Sequence, residues 1–365
     1  MTMVVNPGKI GRRATIGQRA GAATTVRTDR LWEEIVVLLA GLNPYGLAYL
    51  FGRQGRGTPR VNPAPRGMGD FIDLAEELGA RTIELADDWL TPLGEAELGA
   101  LRDRLARAGM VPVLSSGLAR LDFARCAAIA KSLGARMIRL ALTSVLCGNR
   151  GTTPGWDGLV QGAWDKLSAL APQAEAAGLT IVIENHQDFT SRELAAFCQR
   201  LGPAVRIVLD TGNTFPVAEA PLDFVEVVAP FVAYVHLKDY RVQPTEEGFR
   251  LVRCAIGDGA VPLVEMAAVL ARHHAVLPAA LEPGALEARH VRLLTPEWWQ
   301  GYPPLPASGL AACLRAIRRN ALPPDADYRT PWERGEDGAV VSYELDMIRR
   351  SAANMRALGM MGETA

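Results

Sequence analysis

The 365-residue sequence predicts an α/β chain folded as a (β/α)8 TIM barrel with N-terminal, βα-loop and C-terminal extensions, and three observations predict it. Apolar strand-like runs alternate with helix-like segments along most of the chain. Several of the helix-like segments close on a glycine just before the next strand (Gly79, Gly109, Gly134, Gly178 and Gly202), the residue that ends a helix in the left-handed conformation at no steric cost. The strands are near-continuous apolar runs, as required when both faces of a parallel sheet are covered. A doubly wound open sheet is the competing architecture, but it would want an early glycine-rich phosphate loop opening a helix, and the sequence has none.

In chain order, residues 1–30 carry six basic side chains against Asp29 alone and read as a flexible basic tail. Arg12-Arg13 is followed by small and polar residues, without the apolar stretch of an export signal. The run 31–42 (LWEEIVVLLAGL) reads as a short helix ahead of the barrel, and 46–51 (GLAYLF) as the first strand. Strands at 81–86, 111–116, 136–142, 179–185, 205–210, 232–239 and 277–283 complete a set of eight. Helices at 69–79, 94–109, 120–134, 157–178, 191–202, 223–230 and 262–275 lie between them. Three connections, 52–68, 241–261 and 285–308, are longer than the fold needs and follow strand ends, so they read as walls and a lid over one mouth. Helices at 309–320 and 343–359 finish the chain, the second suiting an eighth barrel helix displaced by an insertion. The organisation expected is an extension over 1–40, a catalytic barrel over 41–284, and a long loop with C-terminal helices packing on the barrel over 285–365.

Composition narrows the function classes. Lys and Arg number 39 against 40 Asp and Glu, which leaves no general positive field for gripping nucleic acid. Apolar residues make up 49% and charged residues 22%, and no run of roughly 18 uncharged apolar residues marks a membrane span. Five scattered cysteines without CxxC spacing fit reduced thiols in a cytoplasmic protein.

Four strand-like runs end in metal-type ligands: IVIEN on Glu184, RIVLDTGN on Asp210, AYVHLKD on His236 and PAALEPG on Glu282. In alternating β/α chains the active site lies at the carboxyl ends of the strands, so these four can converge. A single acidic strand end is more often a cap or an ion pair; four in consecutive strands favour a metal. Three carboxylates and one imidazole suit one hard to borderline divalent ion, Mn²⁺ first, with Mg²⁺ or Co²⁺ compatible, and no nucleotide cofactor is expected. Such an ion polarises a sugar carbonyl and acidifies the neighbouring C–H. Proton transfer needs bases close by, for which Glu184, Glu282, His186 and Lys238 are the catalytic candidates. Asn185, Asn213, Arg139 and Glu84 are candidate substrate contacts, although ion pairing in the core explains Arg139 and Glu84 equally well. Trp298-Trp299 either walls a sugar site or pins the long loop, and His273-His274 reads as a helix-end pair.

The endings EN(H), DTGN, HLKD and LEPG resemble those of the sugar phosphate isomerase/epimerase superfamily, the xylose isomerase-like barrels that include ketose epimerases and inosose dehydratase. The resemblance, over about 46–284, implies one divalent ion on Glu184, Asp210, His236 and Glu282, with the two glutamates as acid/base groups. One position departs: ketose 3-epimerases place a substrate-contacting histidine where this chain has Asn213. That form is similar to dehydratase-like members and to the large subunits of C-glycoside deglycosidases, which work with a small second subunit. Two activities are therefore expected, isomerisation or epimerisation of a sugar, or lyase elimination from a 3-keto-sugar or 3-keto-glycoside with His186 as base. A homo-oligomer is the expected assembly. The abasic-DNA nucleases sharing this barrel gather several histidines and a basic groove, and this chain has five histidines in all.

Overall fold

In the computed structural model, which describes residues 36–284, 286–323 and 325–361, the strand-helix alternation closes on itself. The strands are β1 (Val37–Leu42), β2 (Thr82–Ala86), β3 (Val111–Gly117), β4 (Met137–Ala141), β5 (Thr180–Glu184), β6 (Val205–Asp210), β7 (Val232–Leu237), β8 (Tyr240–Thr245), β9 (Gly248–Arg253), β10 (Val276–Leu281) and β11 (Arg289–Val291). Eight of them form a closed parallel barrel in the order β1-β10-β7-β6-β5-β4-β3-β2, while β8, β9 and β11 make a separate antiparallel sheet. The predicted TIM barrel is the observed fold.

The helices are α1 (Met68–Glu77), α2 (Asp87–Leu90), α3 (Glu95–Arg107), α4 (Phe123–Leu133), α5 (Trp156–Ala176), α6 (Ser191–Leu201), α7 (Pro221–Val228), α8 (Leu263–Ala271), α9 (Ala307–Arg319), α10 (Pro331–Arg334) and α11 (Asp337–Ala357). Their ends follow local chemistry. Asp122 accepts from the Arg125 amide to start α4, Thr190 and Glu193 form a reciprocal capping box at α6, and Gly134 ends α4 at φ +73°. The large core lies between barrel and helices. A small second cluster, Val113, Val182, Val208, Tyr234 and Ala280, fills the barrel itself.

The first strand departs from the sequence reading. Val37–Leu42 is β1, not part of a helix, and it begins inside the stretch assigned to the N-terminal extension. GLAYLF is no strand; Pro44–Leu47 is a 3-10 turn that Asn43 opens by accepting from the Tyr45 amide at 2.7 Å. A short unbroken apolar run such as VLLAGL carries no periodicity to separate buried strand from buried helix, and only pairing decides. β1 runs beside β10 along its whole length but shares a single register pair with β2, Leu42 with Ile83, beside which the Thr82 hydroxyl donates to the Leu39 carbonyl at 2.6 Å. At that seam Gly41 is required, because a Cβ there would lie 1.6 Å from the Thr82 carbonyl oxygen. The basic tail lies outside the described residues.

Two of the long connections, expected to form walls and a lid, also hold strands. Residues 241–261 include the β8–β9 hairpin, and 285–308 contributes β11 to its edge. Pro244 disguises β8, but β8 is an edge strand, where a missing N–H is tolerated. The 285–308 loop is pinned to the segment after β4. Trp298 Nε1 donates to the Cys147 carbonyl at 2.9 Å, and the Tyr302 hydroxyl donates to the Gly148 carbonyl at 2.8 Å. Of the two readings of Trp298-Trp299, pinning is what the contacts record for Trp298. α11 completes the helical ring: Arg349 meets Glu77 of α1, while Ser351 and Asn354 bond the 256–258 turn ahead of α8.

Candidate metal centre

Each ligand candidate stands two residues beyond a member of the barrel's inner plug on the same strand face: Glu184 after Val182, Asp210 after Val208, His236 after Tyr234 and Glu282 after Ala280. The apolar layer thus forms a floor and the polar layer sits above it, at the carboxyl ends of β5, β6, β7 and β10. Glu184, Asp210 and His236 are fully buried and Glu282 is 7% exposed. One ligand atom from each of the four lies within 4.8 Å of the others. Donors held about 2.0–2.6 Å from a shared ion span distances of that order.

His236 is aimed by what surrounds it. Its Nδ1 faces Glu184 Oε1 at 3.2 Å and Glu282 Oε2 at 3.0 Å, while Nε2 meets Glu84 Oε2 at 2.7 Å. This is the carboxylate–imidazole arrangement that orients a metal-binding histidine from behind. Glu84, read as a substrate contact, therefore lies behind the imidazole. Asn43 Nδ2 donates to Glu282 Oε2 at 2.8 Å from the end of β1. Lys238 Nζ bridges Asp210 Oδ2 and Glu282 Oε1, both at 2.6 Å, and Arg139 pairs with Glu184.

Charge decides whether an ion fits. With the His236 imidazole neutral, as a metal ligand must be, four buried carboxylates, Glu84, Glu184, Asp210 and Glu282, meet two permanent cations, Arg139 and Lys238, and leave an excess of two negative charges that a divalent ion would offset. Burial opposes ionisation of Glu184, yet Arg139 and His236 hold its carboxyl well below the usual range. Burial likewise opposes the charge on His236, but Glu84 and Glu282 raise it well above that of a free imidazole. Burial lifts Asp210 to about 6 against the pull of Lys238. The donor set fits a divalent ion.

The remaining candidates take different places. Asn185 is engaged at both ends with the main chain of Asp210, accepting from its amide at 2.6 Å and donating to its carbonyl at 2.9 Å. Asn213 donates to Asp210 Oδ2 at 2.6 Å and accepts from Gln187 at 3.0 Å. His186 lines a cavity of about 310 Å³ above the cluster, together with Arg139, Lys238 and Glu282. Burial, reinforced by Arg139 and Lys238 against the pull of Glu184, lowers its imidazole to about 4, and its Nδ1 is buried without a partner. Asn43, Tyr45, Arg53, Arg253 and Arg289 were not singled out from the sequence, and all but Asn43 line this cavity. Asn43 carried the same signal as the acids, a polar residue directly after an apolar strand, and was hidden by the helix reading of that strand.

Comparison with known proteins places this geometry in a family. Residues 72–292 match the xylose isomerase-like TIM barrel family. The chain is 28% identical over 209 residues to the 3-oxo-isoapionate decarboxylase of Pectobacterium atrosepticum, covering 56% of this chain and 72% of that one. It is 26% identical over 229 residues to the uncharacterized protein YihM of Escherichia coli, covering 59% of this chain and 64% of that one. The crystal structure of D-psicose 3-epimerase in the presence of D-fructose superposes with a TM-score of 0.53 at 18% identity, covering 81% of this chain and 94% of that one, which speaks to the fold alone. With more than half of its length matched to the family and a closed eight-stranded barrel carrying the buried cluster, the chain belongs to the xylose isomerase-like TIM barrel family.

Proposed function

We propose that this protein is a divalent-metal-dependent enzyme that moves a proton at the carbon beside a sugar carbonyl, an isomerase or epimerase by chemistry. The observation that carries this reading is the convergence of Glu184, Asp210, His236 and Glu282, the last of which lines a cavity of sugar size. A divalent ion on those donors, Mn²⁺ first by their hardness, supplies the Lewis acidity that makes such a C–H acidic. Glu184 and Glu282 come from opposite flanks of the four-strand arc β5-β6-β7-β10, the placement that two-sided proton transfer would need. On this reading one of these carboxylates takes the proton and the other returns it. Lys238 holds Asp210 and Glu282 together, and Arg139 steadies Glu184, so the acids keep their geometry as the proton moves.

A second reading, elimination from a 3-keto-sugar or 3-keto-glycoside, starts from the same deprotonated carbon. The unpartnered Nδ1 of His186 in the cavity wall supports it, as does the relative named for removing a carboxyl group from a 3-oxo compound. The two readings separate in heavy water. Protein stripped with EDTA and reloaded with Mn²⁺ is incubated with ketoses and with a 3-keto-glycoside; deuterium uptake with epimer formation supports the first, aglycone release the second. Undiminished turnover by the metal-free protein would sink both.

A further inference from the structure

Of the side chains lining the cavity, six are cations (Arg53, Arg120, Arg139, Lys238, Arg253 and Arg289) and Glu282 is the one acid, in a chain whose formal net charge is −1. Five of the six meet an acid: Arg53 with Asp88, Arg120 with Asp87, Arg139 with Glu184, Lys238 with Asp210 and Glu282, Arg289 with Glu287. Arg253 does not. It is 6% exposed, its Nη1 donates to the Tyr240 hydroxyl at 3.1 Å, and among the described residues no carboxylate pairs with it. Its Nε is buried without a partner, as are the Nε atoms of Arg53, Arg139 and Arg289 and the Nδ1 of His186, all lining the same cavity.

A buried guanidinium with no counter-charge is costly and is seldom retained unless something pairs with it. Arg253 is also held in place. It ends β9 opposite Tyr240 of β8, stacks over that ring at 5.2 Å, and lies so close to the turn after Glu282 that a Cβ on Gly284 would come within 3.4 Å of its Nη1. β11 pairs with β9 and brings Arg289 to the same wall. The small antiparallel sheet thus places two arginines over the acid cluster, one of them with its Nε still to be partnered, on the edge of the guanidinium away from the Nη1 that Tyr240 occupies.

We infer that the substrate carries an anionic group, a carboxylate or a phosphate, which Arg253 binds at the wall of the cavity while the carbonyl end sits over the four-residue cluster. This rests on the proton-transfer reading for the carbonyl end, but the anion subsite is testable by binding alone. The protein loaded with Mn²⁺ is titrated calorimetrically with D-fructose, a D-fructose monophosphate and D-gluconate. At least one anion binds more than about 10-fold tighter than D-fructose, the scale set by a hydrogen bond to a charged group, and the stronger of the two identifies phosphate or carboxylate. Arg253→Met lowers that anion's affinity by about 10- to 100-fold and leaves D-fructose unchanged, and Arg253→Lys restores part of the loss. Equal binding of all three probes, or an anion preference that survives Arg253→Met, overturns the subsite. If Arg253→Met fails to fold, the wild-type comparison decides. Metal-dependent deuterium exchange on neutral ketoses without anion preference would leave the proton-transfer reading standing and remove this one; anion preference without exchange would do the reverse.

Discussion

At the residue scale, the distinction that matters is between atoms facing the cluster and atoms holding it. Glu184 presents a carboxylate to the shared point, whereas Glu84 touches it only through His236. Glu184→Gln is expected to reduce turnover to background, since an amide neither binds a divalent ion as an anion nor accepts the carbon's proton. Glu84→Gln is expected to cost about 10- to 100-fold in metal affinity or activity, as loss of an orienting partner does, with the enzyme rescued by excess Mn²⁺. If both variants fall equally and neither responds to added metal, the division of roles is wrong. A different residue sets a pH dependence of stability. Glu344 in α11 is fully buried, accepts from the Tyr49 and Leu50 amides at 2.9 and 2.8 Å, and burial raises its carboxyl to about 7. Its folded-state value exceeds the unfolded one of 4.5, so the folded protein holds a proton that the unfolded chain has released. Stability is then greatest below about 4.5 as far as this group is concerned, and falls by on the order of 3 kcal/mol as pH rises to about 7. Urea denaturation across that range should show the fall in wild type and a flatter profile in Glu344→Gln, whose overall stability is lower because one amide loses its acceptor.

At the element scale, the barrel closes through its weakest seam. β1 is joined to β10 by six register pairs and to β2 by one, and Gly41 permits the approach. Gly41→Ala puts a methyl group into the Thr82 main chain, which cannot move aside as a flexible side chain would. A loss of at least about 3 kcal/mol in urea denaturation is expected. A variant as stable as wild type would mean that the seam is looser than described. The β8–β9–β11 sheet is the other element whose position matters, because Arg253 and Arg289 reach the cavity only through its pairing. The two elements escape a sequence pattern for different reasons: β1 is an apolar run without periodicity, and β8 is an edge strand interrupted by Pro244.

At the scale of the whole molecule, the proposed ion would couple its binding to folding. The four ligand candidates come from β5, β6, β7 and the end of β10, so an ion held by them would tie half of the barrel together and would favour the folded state, in which alone the four converge. Thermal unfolding of EDTA-stripped protein should shift upward when Mn²⁺ is added, by about 2.7 kcal/mol at a free concentration 100 times Kd and more above it. His236→Ala should remove most of that shift. An unfolding temperature insensitive to Mn²⁺, Mg²⁺ and Co²⁺ alike would exclude a resident ion at these residues.

The sequence by itself determined the barrel, seven of its eight strands, and the four residues Glu184, Asp210, His236 and Glu282 as one group. It could do so because strand ends are local signals and the parallel barrel turns all of them toward the same face. Tertiary structure alone decided that Glu84 stands behind His236, that Asn185 is spent on the Asp210 main chain, that Asn43 joins the cluster from β1, and that Arg253 is a buried cation without an acid. Those are facts about which side chains meet across different elements, and no local spacing encodes such a partner, least of all one as distant as the Glu84 that His236 meets 152 positions away.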